Sequence, residues 1–313
     1  HPATLIAPYA TTAGTTDFPT YWLFEGRLGI VAITLVCGAL LAISGMLYQN
    51  VFKNPIAGPG MLGASSGVSV GFVVVILLFG AGATSTEALG VRYALTYGTG
   101  ALTIAFVMLA GWWLSGRNHP FDIVTMMLLG AITGQLFGFV TSFITLFVMD
   151  TETYELYFEL SQMLTVDTSL YSFMVLGGAT LVSVVPIVFL RYRMNTLAFE
   201  EEEVRLLGLS FTGLRAVALI CGGIMILAAQ AHIGALGLVT VVIPFVARSL
   251  FGCEFTKQLG GSIVLGMLFC VTCRLIADCI PFVGQGIAIG SVASVAILPL
   301  FVYVMSTKSR GWE

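Results

Sequence analysis

Between Leu28 and Gln49 the chain carries an apolar run long enough to cross a lipid bilayer, and comparable runs recur down its length. A spanning helix needs about 20 mostly apolar residues. Inside the hydrocarbon layer no water satisfies peptide groups, so only helices or closed barrels cross it. The runs lie near Leu28–Gln49, Met61–Phe79, Ala94–Leu114, Ile123–Val148, Leu170–Leu190, Leu214–His232, Leu259–Ile280 and Ile287–Met305. A shorter apolar piece, Leu236–Val246, is interrupted by Pro244. The short alternating segments of a barrel are missing. Of 313 residues, 9% are charged, where a soluble domain carries about 25%. The expected fold class is an all-α polytopic membrane protein with about nine transmembrane helices. Residues 1–26, polar and threonine-rich, are expected as an external segment, and 27–313 as one transmembrane domain.

Charge placement gives an orientation. With the C-terminus inside, Lys53, Arg117, Arg191, Arg193, Arg205, Arg215, Arg248, Lys257, Lys308 and Arg310 all fall on cytoplasmic links. Only Arg27, Arg92 and Arg274 remain near the outer face, as the positive-inside rule requires. The acidic stretch Asp150–Asp167, with Tyr154, Tyr157 and Phe158 interleaved, then lies outside as an amphipathic loop or short helix. Nine crossings put the N-terminus outside, so both ends inside would take one further helix ahead of this stretch. Cys270, Cys273 and Cys279 are spaced for a metal or redox site, but no histidine lies near them in sequence. They read as small buried hydrophobes, and no metal is assigned.

Ser44–Gly67, SGMLYQNVFKNPIAGPGMLGASSG, separates the first two runs. Pro55 bars helix continuation and biases Asn54 away from helical geometry. Gly58-Pro59-Gly60 makes a turn, and the small residues from Gly63 to Gly67 suit close helix packing. By its residues this is a membrane-surface elbow. With the following VSVG, the stretch resembles the SG-x-x-x-Q-x-x-x-x-NPLA-x-P-x-x-LG-x-x-x-G motif of the permeases of ABC importers for ferric siderophores, haem and vitamin B12. Gln49, Asn54, Pro55, Ala57, Pro59, Leu62, Gly63 and Gly67 fall on its fixed positions. Met194–Arg215 resembles the family's cytoplasmic link, and Gly234–Gly252 keeps Gly237, Pro244, Arg248 and Gly252 of a third motif.

The resemblance implies a ten-helix type II importer permease, its first helix preceding this stretch. It also implies an ATPase-docking link at about 191–215, with Glu200, Glu201, Glu202, Arg205, Leu207 and Gly208, aided by Arg248. Arg27, Arg274 and Asp278 would face a substrate-binding protein, and Asp122, Ile123 and Val124 fall where the family narrows its inner exit. Two departures stand out. Phe245 and Thr240 replace a histidine and a glycine, and Arg274 precedes Asp278 where the family reverses that order. The second permease subunit would make a homo- or heterodimer, and a heterodimer, whose paralogous partner supplies the lost features, is favoured as one explanation of both.

No G-x-x-x-x-G-K-[ST] loop occurs in the chain, so it is not expected to be an enzyme. ATP and Mg belong to two partner ATPase subunits, and no cofactor is expected here. The expected function is import of an iron-siderophore, haem or corrinoid chelate across the bacterial plasma (inner) membrane. Besides the ATPases, a second permease, the binding protein and lipid are the expected partners, with no nucleic acid. The alternatives are an ion-gradient-driven secondary transporter, which wants carboxylates at mid-membrane, and an intramembrane enzyme, which wants clustered reactive side chains.

Overall fold

The computed structural model describes residues 20–84, 88–115, 123–162, 167–199, 203, 211–280 and 287–308. Ten α-helices follow in order: α1 (Thr20–Phe52), α2 (Ala64–Phe79), α3 (Leu89–Ser115), α4 (Ile123–Phe147), α5 (Thr151–Gln162), α6 (Leu170–Met194), α7 (Phe211–Ile233), α8 (Val239–Phe251), α9 (Phe255–Cys279) and α10 (Ile289–Lys308). Short 3-10 turns occupy Pro59–Leu62, Gly80–Thr84 and Asn195–Ala198, and no strand occurs among the described residues. Six of the helices are long and apolar enough to cross a membrane, and α2, α8 and α10 are shorter apolar helices. These nine match the nine expected runs.

The tenth, α5, forms in the acidic stretch. Asp150 caps it, accepting from the Thr153 amide at 2.9 Å and from the Thr153 hydroxyl. Those bonds hold its carboxyl below the usual carboxylate range.

Two helices form the centre. In α1 and α7, 72% and 78% of the most apolar window is buried, against 11% in α4 and 17% in α6. α1 lies against α7, α8 and α9, while α2, α3 and α4 form a second group that meets the first through α7. The outer helices keep leucine, phenylalanine and valine outward, as a lipid-facing surface demands. In lipid, apolar side chains gain little by leaving the solvent, so close packing must hold helices together. Gly38 of α1 and Gly266 of α9 supply it. A Cβ on either would lie 3.0 Å from the other's carbonyl carbon. A Cβ on Gly45 would overlap the Thr240 carbonyl of α8, and Ser44 Oγ donates to Gly222 O of α7 at 2.6 Å.

Two sequence expectations change. The elbow reaches the surface only in mid-stretch, between Lys53 and Ile56. Ile56 is exposed, but Ala57, Gly58, Pro59, Leu62 and Gly63 are buried, so the chain turns back into the bundle. A Cβ on Gly130 of α4 would collide with the Met61 carbonyl, so this glycine exists to admit the returning backbone. The second change is α8, which runs uninterrupted through Pro244. Its 13 residues extend about 20 Å, short of the roughly 30 Å hydrocarbon layer. On α4, Gly130 is pressed against the elbow, a Cβ on Gly134 would lie 3.6 Å from Ser66 Oγ, and Gly138 faces open space.

Candidate functional site

Two stretches of non-helical backbone face one another inside the bundle. In the first, Lys53 takes a positive φ of 49°, and Asn54 Oδ1 accepts from the Ile56 amide at 3.0 Å, closing a turn of the kind asparagine favours. The chain then descends through Ala57 and Gly58 to the 3-10 turn, which ends at Gly63 with φ 74°. The second stretch follows α7. Gly234 leaves the helix at φ 80°, and residues 234–238 lead back to α8. Non-helical backbone at membrane depth is tolerated only where protein covers it or a cavity hydrates it.

Here protein covers much of both stretches, and a cavity borders them. A cavity of about 350 Å³ lies between the stretches and the first turns of α10, lined by Gly58, Gly60, Met61, Ser65, Ala235, Leu236, Gly237, Leu238, Val239, Thr240, Val241, Gly290, Ala293 and Ser294. Its side chains are small, apolar or hydroxylic, with no charge among them. Such a wall offers no charged group to hold a ligand. Gln49 fastens the two sides: fully buried, it donates through Nε2 to Pro55 O and to Val241 O, each at 2.8 Å. Gln230 Nε2 donates to Ser65 Oγ at 2.7 Å.

Polar contacts gather at both ends of the bundle. At the Lys53 end, Lys53 Nζ donates to Phe199 O at 2.7 Å, Arg248 donates to Asn50 Oδ1, and Asn195 Oδ1 accepts from the Phe255 amide at 2.8 Å. At the other end, the buried Arg92 meets Asp167 at 3.4 Å. Beside that pair, Tyr93 shares a 2.9 Å hydrogen bond with Ser172 and stacks on His232 at 4.7 Å between ring centroids.

These observations share a plan with known proteins. Residues 5–307 match the FecCD transport family. The chain belongs to that family. Among its relatives, an Escherichia coli protein named the vitamin B12 import system permease BtuC is 29% identical, over 92% of this chain and 85% of its own length. A Helicobacter pylori protein assigned as an iron chelatin transport system permease is 26% identical, over 92% and 83%. The uncharacterised Bacillus subtilis ABC transporter permease YvrB is 29% identical, over 94% and 82%. A solved structure of an inward-facing transporter assigned to the metal-chelate ABC type shares the fold, with a TM-score of 0.77 at 22% identity over 97% of this chain and 96% of that one. This FecCD chain is a multi-pass membrane permease of an ABC importer.

Within the FecCD chain the expected site residues are dispersed. Glu200, Glu201, Glu202, Arg205, Leu207, Gly208 and Asp122 lie outside the described residues, as does His119. Ile123 opens α4, and Val124 beside it is exposed. Arg27 is exposed on α1. Arg274 pairs with Asp278 one turn later on α9 at 3.0 Å. Gln135 of α4 is exposed. Of the motif residues, Gly237 lines the cavity and Gln49 fastens its walls, whereas Gly63 faces Thr103 of α3. Pro244 is buried in α8, whose first turns form one wall, and Gly67 packs on Thr103 of α3. Cys270 and Cys273 are buried, Cys279 is exposed, and no metal-holding cluster occurs among the described residues.

Sequence reasoning missed the Arg92–Asp167 pair. Its one signal was an arginine at the head of an otherwise apolar run.

Proposed function

We propose that this FecCD chain is the permease subunit through which an iron-siderophore, haem or corrinoid chelate crosses the bacterial plasma membrane. A binding protein delivers the chelate, a second permease closes the pathway, and two separate ATPase subunits hydrolyse ATP. The observation that carries this reading is the uncharged cavity between two helix breaks, joined to membership of a family whose relatives are named for iron chelatin and vitamin B12. A bulky chelate already encloses its metal, so its route needs room and small side chains rather than ligands.

In this reading the Lys53 end is cytoplasmic and so is the C-terminus. The link over 191–215 meets the ATPases through Glu200, Glu201, Glu202, Arg205, Leu207 and Gly208. Arg27 and the Arg274–Asp278 pair face the binding protein. The partner permease is a paralogue, consistent with Phe245 and Thr240 standing at family positions for histidine and glycine.

The complex purified from its native membrane and reconstituted in liposomes tests this. Uptake of cyanocobalamin or a ferric trihydroxamate chelate should require ATP hydrolysis and persist when ion gradients are collapsed. Uptake that follows a proton gradient without ATP would establish a secondary transporter instead.

A further inference from the structure

Asn50, in the last turn of α1, joins three helices. Its Oδ1 accepts from the Arg248 guanidinium of α8, and its Nδ2 donates to Gln258 Oε1 of α9 at 3.2 Å. Gln258 is fully buried, and its own Nε2 has no partner. A short way off, the first residues after α6 hold the same elements. Asn195 accepts from the first amide of α9, and Phe199 O receives Lys53 from the elbow. The stretch leading into residues 200–210 is therefore bonded both to α9 and to the elbow.

Apolar residues of similar volume would hold these helix ends together at lower desolvation cost, because an arginine and a buried amide must be taken out of water. What the polar contacts add is direction. Each bond fixes one helix end against another at a set angle, so displacing one element carries the rest. The cavity lies one step further on. Its elbow wall is fastened through Gln49, next to Asn50, and its second wall is the start of α8, whose far end carries Arg248.

Resting on the ATP-driven reading above, we infer that Asn50 is a positioning residue that makes α1, α8 and α9 follow the cytoplasmic link, turning ATPase movement into a change of the cavity. Asn50→Leu keeps the branched outline of the side chain and removes both bonds while leaving residues 200–210 untouched. In the reconstituted complex, with cyanocobalamin and a ferric trihydroxamate chelate as probes, ATP hydrolysis should stay within about twofold of the unmodified rate. Probe moved per ATP hydrolysed should fall about tenfold, a coupling change of about 1.4 kcal/mol. Asn50→Asp keeps the acceptor for Arg248 and should recover most of that ratio.

A ratio unchanged in Asn50→Leu, or hydrolysis and transport falling in step, overturns the inference alone. An unmodified complex that moves neither probe with ATP overturns the importer reading and the inference with it. Should Asn50→Leu fail to assemble, Gln258→Met, which removes only the α9 arm, is read by the same ratio. Failure of both to assemble assigns these contacts to folding and overturns the proposal.

Discussion

Gly38 and Gly266 cross backbone to backbone, each occupying the space where the other's side chain would begin. Any added carbon must push α1 and α9 apart. Gly266→Ala should destabilise the protein by about 1–3 kcal/mol, the usual cost of overpacking a close contact. Gly260→Ala, on the same helix but facing open space, should be neutral or stabilising by up to about 1 kcal/mol, because alanine favours helix over glycine. Thermal unfolding of both variants in detergent checks the contrast.

Gln49 donates to carbonyls on both sides of the cavity. Gln49→Leu leaves Pro55 O and Val241 O without that donor, at a cost of about 1–3 kcal/mol for each buried group that stays unsatisfied. Hydrogen exchange should accelerate together in residues 57–63 and 239–242, although they lie far apart in sequence. Acceleration confined to one of the two would mean that Gln49 fastens only that side.

The Arg92 side chain is 6% exposed and that of Asp167 22%. Asp167→Asn strands a buried guanidinium and should cost on the order of 3 kcal/mol. Adding Arg92→Met removes the stranded charge and should recover part of the loss. A double-mutant cycle on unfolding temperature reads the coupling, and purely additive losses would show the pair to be unimportant.

Cys253 and Cys279 are exposed at opposite ends of α9, whereas Cys37, Cys221, Cys270 and Cys273 are buried. A membrane-impermeant maleimide applied to intact cells should label Cys279, and Cys253 only after lysis. The reverse pattern would invert the orientation. Labelling of all six thiols would mean that the native packing had been lost.

The Asp150 carboxylate caps α5, and its hydrogen bonds from Thr153 lower its folded pKa. The folded state thus favours the ionised form. The cap's contribution is complete above the ordinary aspartate value of about 4 and is lost as pH falls through the lowered folded value. Exchange at the Thr153 amide should stay slow at neutral pH and quicken only in strong acid, while Asp150→Ala should quicken it at every pH.

The helices were legible because lipid demands long apolar runs, and the Arg274–Asp278 pair because its partners lie one turn apart. The burial of the elbow was not. Proline, glycine and asparagine announce a break in a helix equally well at a surface or inside a bundle, and only the collision of Gly130 with Met61 tells which. Gln49 stood out as a motif position, yet its partner Val241 lies 192 residues on. Arg92 and Asp167, 75 residues apart, were equally invisible in a single sequence.

The central place of α1 has a consequence for biosynthesis. Ser44, Tyr48 and Gln49, all fully buried, bond to residues 178, 171 and 192 positions later. At about 5–20 residues per second, a nascent chain emerges for on the order of 10–40 s before those acceptors exist. Throughout that interval Ser44 and Tyr48 lack those acceptors and Gln49 has only Pro55 O of its own elbow, so the insertion machinery or a neighbouring subunit must shelter the helix until the second half of the chain arrives.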